Sequence, residues 1–71
     1  MSRQQQFVRI ECAEIGHETD KAVLITVDGD KYGIYEPMWI PLSQVDEICR
    51  NDPGGLYIMV ASWIAREKGL Q

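Results

Sequence analysis

The chain is poor in the residues that most chemical sites are built from. Its 71 residues include one histidine, two cysteines and one phenylalanine. Zinc centres usually take four Cys or His ligands in closely spaced pairs. Cys12 and Cys49 stand far apart and His17 is alone, so no metal centre or cofactor is expected. A Gly-rich phosphate loop, a nucleophile elbow and an H-E-x-x-H pattern are all missing, which removes the usual sequence marks of nucleotide hydrolases, esterases and metalloproteases. His17 and Cys12 are close enough in sequence to form a nucleophile and its base. A buried structural cysteine and a loop histidine explain the same residues more simply. No catalytic residue is assigned, and an enzyme is not expected.

Long apolar runs are missing too. AVLITV (22–27) is about a third of the roughly 20 residues a spanning helix needs, so no membrane contact is expected. Basic residues are few, with seven Lys and Arg against eleven Asp and Glu for a net charge of −4. That balance argues against duplex DNA as a partner. The opening MSRQQQ has no apolar stretch of signal-peptide length. Reduced thiols and a cytoplasmic location are therefore expected, rather than a Cys12–Cys49 bridge.

What is present reads as one domain over residues 1–71, with residues 1–5 expected to be disordered. FVRIECAEI (7–15) alternates as a half-buried strand, with Val8, Ile10 and Cys12 on one face. The apolar phase then moves to Ala13 and Ile15, which predicts a bulge or bend near Cys12-Ala13. AVLITV has almost no polar side, so both of its faces are expected to be covered. Asp28-Gly29-Asp30 predicts a tight hairpin, with KYGIYE (31–36) as the returning strand. Pro37 and Pro41 confine their neighbourhood to a sheet edge or a crossing. QVDEICR (44–50) is a short strand or a turn of helix, and Asn51 to Gly55 is the strongest turn signal.

LYIMV (56–60) is a strand and SWIAREKGL (62–70) a short helix, with Val60, Trp63 and Ile64 as its apolar stripe. Ser62 is its N-cap or lies within its first turn, and Gly69 ends it, with Leu70 folding back. The class is α+β: a strongly bent antiparallel sheet or barrel of four or five strands with one short C-terminal helix. A chain of this size buries little more apolar area than offsets its chain entropy, roughly 1.5 kcal/mol per residue. Self-association is the expected supplement, with Leu24, Trp63 and Ile64 at the contact.

Three stretches, ETDKAVLI (18–25), WIPLSQV (39–45) and WIAREKGL (63–70), together resemble a group of small, mostly uncharacterised proteins of bacteriophages and prophages. In that group a lysine often stands where this chain has Leu42, and a proline where it has Ala61. The resemblance implies a phage origin and the host cytoplasm. It implies no activity.

Binding is the remaining class. If Met38, Ile40 and Leu42 point inward, alternation turns Trp39 to the other side, with Tyr35 on the same face. Trp39 and Tyr35 would form a stacking wall, Ser43 and Gln44 would give polar contacts, and Arg9, Lys21 or Arg66 would give charge, from the same subunit or across a subunit boundary. The expected function is non-enzymatic counter-defence. A homo-oligomer would sequester a small anionic ligand such as a cyclic nucleotide or an ADP-ribose derivative. The alternative is an inhibitor or adaptor that binds a host or phage protein through an aromatic, acidic surface.

Overall fold

The computed structural model describes residues 6–52 and 55–70. Residues 1–5, for which disorder is expected, and part of the turn at Pro53-Gly54 lie outside the described residues. In chain order the elements are β1 (Phe7–Glu18), β2 (Ala22–Val27), α1 (Gly29–Tyr32), β3 (Met38–Pro41), the 3₁₀ turn η1 (Leu42–Gln44), β4 (Val45–Asp52), β5 (Gly55–Ala61) and α2 (Ser62–Glu67). The strands form one antiparallel five-stranded sheet in the order β3-β2-β1-β5-β4.

Two irregularities set the faces of the sheet. On β1 the register shifts between Cys12 and Glu14, where the apolar phase changes, and Ile15 then pairs with Ile25. The extra residue lets one strand keep apolar side chains inward on both sides of a bend. On β4 the register shifts between Val45 and Glu47. The inserted Asp46 explains how Val45 and Ile48, three apart, both pack against the core.

The core lies on one face of the sheet. Val23, Ile25, Ile40, Ile58 and Val60 are fully buried there, with Ile64, Ala65 and Leu70 from the C-terminal segment above them. Tyr32 and Ile34 cover the core from the α1 side. On β2 only Val23, Ile25 and Val27 are enclosed, and Ala22, Leu24 and Thr26 remain half-buried on the other face. The expectation that both faces of this strand are covered is not met within one protomer, because the helices pack their apolar residues on the same side.

The region after β2 departs from the predicted hairpin. The Asp28 side chain accepts from the Asp30 N–H at 3.0 Å and caps a single helical turn, a local bond that competes with strand pairing. Gly33, at φ 76°, ends that turn in the left-handed region. Residues 31–36 are therefore not the returning strand, which begins at Met38, after Pro37.

α2 begins after Ala61, so Ser62 lies in the first turn and makes no side-chain cap. Its end matches the prediction: Gly69 has φ 77°, and the Leu70 N–H donates to the Ala65 carbonyl at 2.7 Å.

β3 and β4 are the two edges of the sheet, yet only the three residues of η1 separate them in the chain. A 3₁₀ turn rises about 2 Å per residue, so the end of β3 and the start of β4 lie within roughly 10 Å of each other. The sheet curls towards itself at this corner. No ladder joins its edges, and it is an open sheet rather than a barrel.

Candidate functional site

The η1 corner brings together Ser43, Gln44 and Lys21, three of the residues singled out as ligand contacts, with Trp63 from α2. The Leu42 N–H donates to the Lys21 carbonyl at 2.8 Å, which ties η1 to the start of β2. From α2, the Trp63 indole Nε1 donates to Gln44 Oε1 at 3.2 Å. Gln44 Nε2 in turn donates to Ser43 Oγ at a long 3.4 Å. Trp39 stands two residues before Pro41, on the strand that leads into η1, and pairs with Leu24. Arg66 is three residues after Trp63, the spacing of neighbours on one helix face.

Exposure supports a surface role for both indoles. Trp39 is 47% exposed and Trp63 46% exposed. Lys21 and Arg66 are exposed and make no ion pair among the described residues. Each stands beside an acid in sequence, Asp20 and Glu67. The corner therefore offers directed donors and aromatic faces rather than a strong positive field.

Two of the expected contacts lie elsewhere. Tyr35, 71% exposed, is outside the strands, and its ring lies against Gly29, where a Cβ would sit only 2.2 Å from a ring carbon. It does not extend the β3 face, because the strand starts after Pro37. Arg9 lies on the helix-free face of β1, with its guanidinium 3.8 Å above the Tyr57 ring centroid. It is also paired with Glu11 at 2.5 Å. Leu24, the partner of Trp39, has its carbonyl against Gly16. Arg9 is thus seven positions along β1 from Gly16, the residue level with Leu24. The Tyr57 hydroxyl, desolvated and bonded to Glu47 at 3.2 Å, is pushed above its ordinary pKa.

The residues expected at a contact between copies also divide. Leu24 is half-buried on the helix-free face, whereas Ile64 is 3% exposed and fills the protomer's own core. Trp63 belongs to the η1 corner. A sequence signal for this existed: Ala61, Ile64 and Ala65 form an i, i+3, i+4 stripe that leaves Trp63 out, and all three are buried.

Cys12 and Cys49 are free thiols. Cys12 pairs with Leu56 and Cys49 with Tyr57, adjacent β5 residues whose side chains point to opposite faces. The two sulfurs cannot meet within one chain. Burial, with help from the Glu11 charge, pushes the Cys12 thiol up to about 11, opposite to what a nucleophilic thiolate needs. Among the described residues no group of three or more His, Cys, Asp or Glu could hold a metal ion. Among the described residues no cavity is found, and no described helix is long and apolar enough to cross a membrane. No protein-family model, curated protein or solved structure matches the chain.

Proposed function

We propose that this protein is a non-enzymatic phage accessory protein that sequesters a small anionic, nucleotide-type signal in the host cytoplasm, as counter-defence. The observation that carries this reading is the Trp63–Gln44 hydrogen bond. It draws α2 onto η1, so that Ser43, Gln44 and Trp63 share one corner with the backbone of Lys21, and Arg66 stands one helical turn away, while the Trp39 ring lies on the helix-free face of the adjoining strand. Rings for stacking and donors for an oxyanion are the two parts such a ligand needs. Because no cavity is found among the described residues, enclosure of the ligand falls to a second copy, and the working form is a homo-oligomer.

The test is a panel of cyclic di- and trinucleotides and ADP-ribose derivatives, followed by tryptophan fluorescence and melting temperature. Binding with the ligand recovered unchanged after heating supports sequestration, whereas chemical conversion sinks the non-enzymatic reading. Trp39→Ala should remove binding and leave the oligomer mass intact. An 8 kDa species at micromolar concentration in light scattering would rule out the oligomer.

A second reading has its own support. The helix-free face of the sheet carries Leu24, Met59 and Tyr57 with Glu11 and Glu47, an uncovered surface both apolar and acidic. It suits an inhibitor or adaptor for a protein with a basic, apolar surface. Silence across the ligand panel, together with a stoichiometric complex that Glu47→Lys abolishes, would favour it.

A further inference from the structure

The orientation of one amide decides what the η1 corner can recognise. An indole N–H only donates, so the Trp63 contact makes Oε1 the Gln44 atom that faces it. The amide nitrogen is then the end that faces Ser43, where it donates to Oγ. Ser43 accepts inward, and its own proton meets no acceptor among the described residues. Lys21 and Arg66, also without acceptors there, have only donors to offer.

We infer that the corner is a donor site selective for oxyanion-bearing ligands, with Ser43 as the contacting donor. Gln44 is the positioning residue that keeps the Ser43 proton turned outward. The inference rests on the ligand-binding reading above and narrows it to phosphate- or carboxylate-bearing molecules. Uncharged planar molecules lack the anionic oxygens that make charge-assisted bonds to these donors, and protonated polyamines bring only donors of their own.

Gln44→Glu separates this role from simple packing. The carboxylate still accepts from Trp63 but has no proton for Ser43, so the hydroxyl turns inward to donate to it. Added charge alone would also weaken anion binding, and a double-mutant cycle distinguishes the two causes.

Affinity is measured for pyrophosphate and adenosine 5′-monophosphate by calorimetry, with adenosine and spermidine as controls and melting temperature as the check on folding. Gln44→Glu should weaken both anions about tenfold, and Ser43→Ala about three- to tenfold. In the Ser43→Ala background, Gln44→Glu should add less than about twofold. An undiminished Gln44→Glu effect in that background would overturn the positioning role and leave the binding function standing. Adenosine or spermidine binding as tightly as the anions would overturn the selectivity. No binding by these anions or by any member of the nucleotide panel would overturn this inference and the proposed function together.

Discussion

Arg50 on β4 reaches the far end of β1, where its guanidinium donates to the Glu18 carboxylate at 2.8 Å and to the Ile15 carbonyl at 3.4 Å. β5 separates these strands in the sheet, but β1 continues past its last β5 pairing at Cys12. Arg50 closes the resulting gap. Both side chains are about two-fifths exposed, at 40% and 42%, so the ion pair works mostly in water and stabilises little. Arg50→Ala should cost no more than about 1 kcal/mol in urea unfolding, with an unchanged slope. A cost above about 3 kcal/mol would mean that the clasp holds the curl of the sheet.

Adjacent residues of β2 should respond very differently to truncation. Ile25 is 1% exposed, and Ile25→Ala should cost about 2–5 kcal/mol, through lost burial and the cavity left behind. Leu24 faces the uncovered side, half-buried, and Leu24→Ala should cost about 1 kcal/mol. Equal costs at equal protein concentration would show that something covers the Leu24 face.

The left-handed stop at Gly33 gives a backbone test. Gly33 has φ 76° and open space where a Cβ would stand. Gly33→Ala should therefore lower stability by about 1 kcal/mol through conformation alone. Gly33→Asn should cost less, since asparagine tolerates this region better. Equal stability of all three proteins in thermal unfolding would contradict that account.

Cys12 makes stability depend on pH in the alkaline range. Its folded pKa, about 11, lies above the ordinary value of 9.0. The unfolded chain therefore loses this proton first as pH rises. The stability linked to the thiol is complete below pH 9 and is lost on the way to pH 11. Discounted for partial exposure, the loss is on the order of 1 kcal/mol. Cys12→Ala should flatten this part of the profile. At pH 8, maleimide should modify Cys12 only slowly in the folded protein and rapidly after denaturation.

Local pattern was enough to place several features. The shift of apolar phase at Cys12-Ala13 marks the bulge, because a strand with one enclosed face has to keep its hydrophobic residues inward. Gly69 followed by Leu70 marks the end of the C-terminal helix, since a left-handed residue turns the next apolar side chain back onto it. Pro37 and Pro41 mark β3 as an edge. The α1 turn departs from the predicted hairpin for an equally local reason: Asp28 can serve a hairpin or a helix cap, and the capping bond to the Asp30 N–H prevails.

The η1 corner was only half legible. Ser43 and Gln44 stand out beside Trp39, but the Trp63–Gln44 bond joins residues 19 apart in the chain, and Arg50–Glu18 joins residues 32 apart. No periodicity carries that information.

Sequence alone determined the inward face of β1, the irregularity at Cys12-Ala13 and the helix stop, because each depends on side-chain alternation or on the φ preference of one residue. Tertiary structure decided that Trp63 faces η1 instead of the core and that Arg9 is held by Tyr57 and Glu11 on the helix-free face of β1. It also decided that the two cysteines lie on opposite faces. These depend on which strands pair and in which register, and on how the curl brings β3 and β4 to one corner, none of which chain order encodes.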